Sequence, residues 1–132
     1  MTSQLNVDTI KGQTAETSIS IQGEGSATVN LQQGVVKAWT TLQPDASSNY
    51  VYDSFNNSGP TDNGTGDWTY AFTNNMSNND YSFVSIHGSA GSNSAFSRSN
   101  TYATGSIRFW TYTGAGTTDA TLITTTVHGD LA

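Results

Sequence analysis

The chain is predicted to be all-β: short N-terminal strands, then a β-sandwich head, jelly-roll-like in its recurring turns. Three observations predict this. Ser, Thr, Asn and Gly supply 63 of 132 residues, and only 14 residues are charged. Strong helix formers are scarce, whereas β-branched and aromatic residues are common. Turn signals recur roughly every 8–12 residues between runs of alternating polarity, the spacing of a sandwich.

The length suits one domain with a short appendage, divided here as an N-terminal segment, 1–34, and a head, 35–132. No cysteine is present, so neither disulfides nor thiolate metal sites can form. No run is long and apolar enough for a membrane-spanning helix, and the start lacks the basic-then-apolar layout of a signal peptide. Synthesis in a cytoplasm without membrane insertion is expected. A net charge of −6 with four scattered basic residues argues against nucleic-acid binding, which needs clustered Lys and Arg.

In chain order, residues 3–10 alternate Leu5 and Val7 against Asn6 and Asp8 and read as a short strand. Residues 17–22, with Ile19 and Ile21 on one face, and residues 27–31, with Val29 and Leu31 aligned, read as two more around the Gly23-Glu24-Gly25 turn. Strands this short bury no core alone, so the segment needs copies of itself or a larger body. Residues 30–39 fit either a helical turn or an extended connector, and the connector is favoured. Within it, Trp39 reads as a core residue at the base of the head or as a contact between subunits.

The head starts with a strand at 38–42. The central stretch, 53–76, is read as a long-looped hairpin: Tyr50–Phe55 and Trp68–Thr73 as strands around Asp62-Asn63-Gly64-Thr65-Gly66-Asp67, whose Asn-Gly pair favours positive φ. Trp68, Tyr70 and Phe72 share a face. In the next strand, 80–87, Tyr81 and Phe83 oppose Val84 and Ile86, which predicts one face in the core and another against a neighbour. Residues 88–100 are a polar loop or one broken by a short strand. The strongest strand, 103–113, sets Ile107 and Phe109 against Arg108, Trp110 and Tyr112. After the Gly114-Ala115-Gly116 turn, 118–128 completes the sheet.

Little of the sequence reads as chemistry. The 62–67 loop has oxygen ligands but not the spacing or terminal Glu of an EF-hand, and Asp and Asn there read as turn formers. The scattered aspartates offer no cleft for a glycosidase pair. His87 and His128 each end a strand before Gly, and no G-x-S-x-G elbow accompanies them. They read as surface residues or a stacked pair between subunits. No catalytic residue, metal or cofactor is therefore expected. The rings Trp68, Tyr70, Trp110 and Tyr112 either fill the core or stack on sugar faces, with Asn93 and Arg98 in the loop region as further ligand-contact candidates.

The stretches DSFN, TDNGTGDWT, FTNNM and NNDYSFV, with LNVDTIKGQTA, QGEGSATVNLQQG and KAW before them, resemble small virion structural, tail-fibre-like proteins of marine and cyanobacterial tailed phages. The resemblance covers residues 4–86. It implies a homotrimer on the virion exterior, made in the bacterial cytoplasm and anchored to other virion proteins by its N-terminus. The head would then face outward to a host-surface glycan. On that basis Leu5, Val7, Ile10, Ile19 and Ile21 are anchor candidates, and Leu31, Val35, Val36 and Trp39 subunit-contact candidates. Tail fibre, head fibre, neck appendage, capsid decoration protein and stand-alone carbohydrate-binding module all fit this outline.

Overall fold

A computed structural model of the chain describes residues 5–13, 19–22, 25–44, 50–88 and 96–132. The chain is all-β, with several antiparallel sheets, and forms two compact units, 1–35 and 36–132.

In the first unit, β1 (Ser20–Gln22) pairs antiparallel with β2 (Thr28–Asn30), Ser20 opposite Asn30. One helical turn, α1 (Leu31–Gly34), follows, where the sequence favoured an extended connector. The reason is local. The Asn30 side chain caps the turn by accepting from the Gln33 amide at 3.0 Å, and Leu31 donates back to the Ile19 carbonyl at 2.9 Å. Residues 5–13 form no strand, contrary to the alternation reading. A strand persists only where its backbone groups find a ladder partner, and two alternations supply none.

The second unit contains β3 (Ala38–Gln43), β4 (Tyr50–Phe55), β5 (Asn57–Gly64), β6 (Asp67–Phe72), β7 (Ser82–Gly88), β8 (Phe96–Ala103), β9 (Ser106–Thr113), β10 (Gly116–Thr117) and β11 (Leu122–His128). One sheet has the order β4-β3-β11-β7. In the other, β5, β6, β9 and β8 pair in turn, and β10 continues along the end of β9.

The sheets pack face to face because every central strand alternates. Ala38 and Leu42, Ile123 and Val127, Trp68, Tyr70 and Phe72, and Ile107 and Phe109 all turn inward and are buried. Phe109 lies at the centre, edge-on to Tyr70 at 4.9 Å and 5.1 Å from Phe83 of the facing sheet. Each large side chain so buried contributes about 1.5–3 kcal/mol. Tyr81 packs edge-on to Phe72 at 5.6 Å, its hydroxyl within reach of the Ala103 and Ser106 carbonyls at 3.1 and 2.8 Å. Burial pushes that phenol up to about 12.

The central hairpin differs from its sequence reading. Tyr50–Phe55 pairs with β3 in the first sheet and does not flank the 62–67 loop. The chain crosses between sheets at Asn56, a left-handed residue with φ 52°. Its side chain holds the crossing by donating to the Lys37 and Asn74 carbonyls, both at 3.0 Å, and accepting from the Asn74 amide. Residues 57–64 then form β5, the true partner of β6. Edge position explains why this strand shows no apolar alternation and carries Pro60, which an inner strand excludes. The turn narrows to Thr65-Gly66, and Asp119 accepts from the Gly66 amide at 2.7 Å.

Candidate functional site

The sandwich exposes two outer faces of different chemistry. On the β4-β3-β11-β7 sheet, inward Ala38, Thr40, Thr125 and Val127 force their neighbours outward. Cross-strand pairing then lines up Phe55, Trp39, Thr126 and Val84 in one row, and Asp53, Thr41, Thr124 and Ile86 in the next. Phe55, Val84, Ile86 and Leu122 are exposed, Ile86 to 73 %. Trp39 is half-buried on this face and so is not a residue of the inner core.

The other outer face is polar and aromatic. Arg98, Trp110 and Asp67 stand opposite one another on β8, β9 and β6, with Thr101, Arg108 and Thr69 in the adjoining row. The Arg98 guanidinium lies 5.8 Å from the Trp110 ring centroid, and Trp110 meets Tyr112 edge-on at 6.2 Å. Asp67 anchors the patch. Arg108 donates to it through Nε at 2.9 Å and Nη2 at 2.6 Å, a bidentate pair. These bonds hold its carboxyl below the usual range, against the opposing effect of burial, and hydrogen bonds from Trp110 and Asn63 add to the lowering. The Trp110 ring thus meets both the Arg98 guanidinium and the Tyr112 ring, opposite Asp67 on the neighbouring strand. Rings among hydroxyl and amide groups are suited to stacking on a sugar face and bonding its hydroxyls.

This places the sequence candidates. Trp110, Tyr112 and Arg98 come together. Trp68 and Tyr70 do not join them: they are 1 % and 2 % exposed on the inner face of β6, which corrects their reading as ligand contacts. Asn93 lies outside the described residues. Leu5, Val7, Ile10 and Ile21 are exposed and Ile19 half-buried; Leu31 and Val36 are half-buried and Val35 exposed. The sequence reading did not identify Phe55, Leu122 or the Asp67–Arg108 pair. Their positions follow from strand order, although alternation with Ile107 and Phe109 already put Arg108, Trp110 and Tyr112 on one face.

His87 is an inner residue rather than the surface or stacked histidine expected. Its Nε2 donates to the Tyr112 carbonyl at 3.1 Å, so in the neutral ring Nδ1 accepts from Ser97 Oγ, also at 3.1 Å. The pair resembles a nucleophile and base, but it is closed inside the sandwich, with His87 7 % exposed. It ties the two sheets together. Burial lowers the His87 pKa, partly offset by the Tyr112 bond. The unfolded chain therefore takes up this proton first, near the ordinary value of 6.5. Stability from the neutral ring is complete above that value and is lost as pH falls from it toward the folded pKa, by at most about 1.4 kcal/mol per pH unit. Urea midpoints are expected to drop between neutral pH and about pH 5, and to drop less in His87→Gln. An equal drop in both proteins would assign the effect elsewhere.

Among the described residues no group of three or more His, Cys, Asp or Glu side chains is placed to hold a metal ion, and no helix is long and apolar enough to cross a membrane. In comparisons with known proteins, no family model matches the chain, and no curated protein or solved structure is significantly similar to it.

Proposed function

We propose that this is a non-enzymatic structural and adhesion protein of the virion exterior of a tailed phage. The head, a jelly-roll-like sandwich, presents the Arg98–Trp110–Tyr112 patch to a host-surface glycan, and the N-terminal segment attaches to other virion proteins. The observation that carries this reading is the patch itself, an indole flanked by Arg98 and Tyr112 on a surface rich in hydroxyl and amide groups. The resemblance of residues 4–86 supports the virion setting. So does the separate unit 1–35, whose Leu5, Val7 and Ile10 lie exposed. The homotrimer that the resemblance implies is part of this reading.

Retention on immobilised host-surface polysaccharide tests it. The full chain is expected to be retarded, and Trp110→Ala to lose about tenfold in affinity, equivalent to about 1.4 kcal/mol, with an unchanged circular dichroism spectrum. Equal retention of both proteins, or none of either, rejects the glycan role. Antibody labelling of intact particles separately tests the virion setting. A capsid or neck decoration role would leave the particles labelled without glycan retention.

A further inference from the structure

Three cations belong to the second unit, Lys37, Arg98 and Arg108, and their surroundings differ. Lys37 is buried, and Arg108 is committed to Asp67 through two of its guanidinium nitrogens. Arg98 is exposed, and among the described residues no carboxylate pairs with it. Its contact is the Trp110 ring, whose centroid lies 5.8 Å from the guanidinium carbon. A ring attracts a cation but brings no opposite charge and no lone pair to its N–H fork. Only two carboxylates stand on the strands of this sheet: Asp67, matched by Arg108, and Asp62 on β5, three strands away from β8. Three strand spacings are about 14 Å, beyond the screening length of about 8 Å at physiological salt. The face therefore presents one uncompensated positive charge in a chain of net charge −6.

We infer that the glycan received at this patch is acidic: a sugar lying against the Trp110 and Tyr112 rings carries a carboxylate that accepts from Arg98. The inference rests on the glycan reading above and specifies its ligand. Charge complementarity selects the occupant, and the same face shows the pairing it requires. Arg108 meets the Asp67 carboxylate through two bonds of 2.9 and 2.6 Å, and Arg98 has an equivalent fork with no such partner. The carboxylate of a uronic acid fills that fork with its two oxygens. A sulfate ester would bring a third oxygen, for which this face has no second uncommitted cation. The net charge of −6 opposes polyanions at long range, so preference for an acidic sugar has to arise from this one short contact.

The test compares immobilised host-surface polysaccharide with the same polymer after its carboxyl groups have been reduced to alcohols. The full chain is expected to bind the native polymer about tenfold more tightly than the reduced one. Arg98→Gln, an exposed change that keeps the circular dichroism spectrum, is expected to bind both polymers alike, at the weaker level. Trp110→Ala is expected to weaken binding to both. Equal binding of native and reduced polymer by the unaltered chain overturns the inference and leaves the glycan reading standing. A preference for the native polymer that persists in Arg98→Gln overturns it too, since the carboxylate would then be met elsewhere. Binding lost on desulfation of the polymer but kept on carboxyl reduction overturns the choice of carboxylate. Retention on neither polymer rejects the glycan reading, and this inference falls with it.

Discussion

Phe109→Ala is expected to lower unfolding free energy by about 3–5 kcal/mol, a large part of what a domain of this size has. The side chain is fully buried between rings supplied by both sheets, Tyr70 from β6 and Phe83 from β7. Truncation removes its own burial and the edge-on contact with Tyr70. The void is bounded by strands already fixed by ladder bonds, so collapse can recover little of the loss. A denaturant midpoint well below wild type, with an unchanged slope, is the expected reading. A change below about 1 kcal/mol would mean that the sheets do not pack through this ring.

Gly66→Ala is expected to be nearly as damaging, at about 3 kcal/mol, for a different reason. Gly66 has φ 66°, and a Cβ there would lie 2.7 Å from three backbone atoms, Thr111 O, Thr118 N and Thr118 O. None belongs to a side chain that could swing aside. The Thr111 amide also donates to the Gly66 carbonyl at 2.8 Å, so withdrawing the turn breaks a ladder-like bond. Gly114→Ala is the matched control: no atom lies within 4 Å of its Cβ position, and an effect within about 0.5 kcal/mol is expected. Similar melting temperatures for the two variants would contradict this account.

The fold class was legible in the sequence because a two-residue period survives in strands with one covered face. Trp68, Tyr70 and Phe72, or Ile107 and Phe109, announce a shared face without any knowledge of partners. Which face is covered was harder to read. Trp68 and Trp110 have similar local sequences and lie on adjacent strands, yet Trp68 pairs opposite Phe109 inside, while Trp110 pairs opposite Asp67 outside. The charged neighbours Asp67 and Arg108 carry that distinction, since they share faces with Thr69 and with Trp110 respectively. β5 was illegible for a physical reason: an edge strand with little apolar burial has no pattern to show, and its Asn, Gly and Pro look like loop. The crossing at Asn56 was hidden with it, because one left-handed residue can redirect the chain between sheets without a run of turn formers.

Two of the hairpin tips of the second sheet also differ in how much change in chain length they can absorb. At Thr65-Gly66 the main chain is fastened to Thr111 and Asp119, and added residues would have to tear it loose. At Gly114-Ala115 both residues are exposed, and Gly114 has open space around its Cβ position. The sandwich can therefore lengthen at one end of β9 and not beside it, which makes 114–115 the natural seam for a grafted peptide or a variable loop.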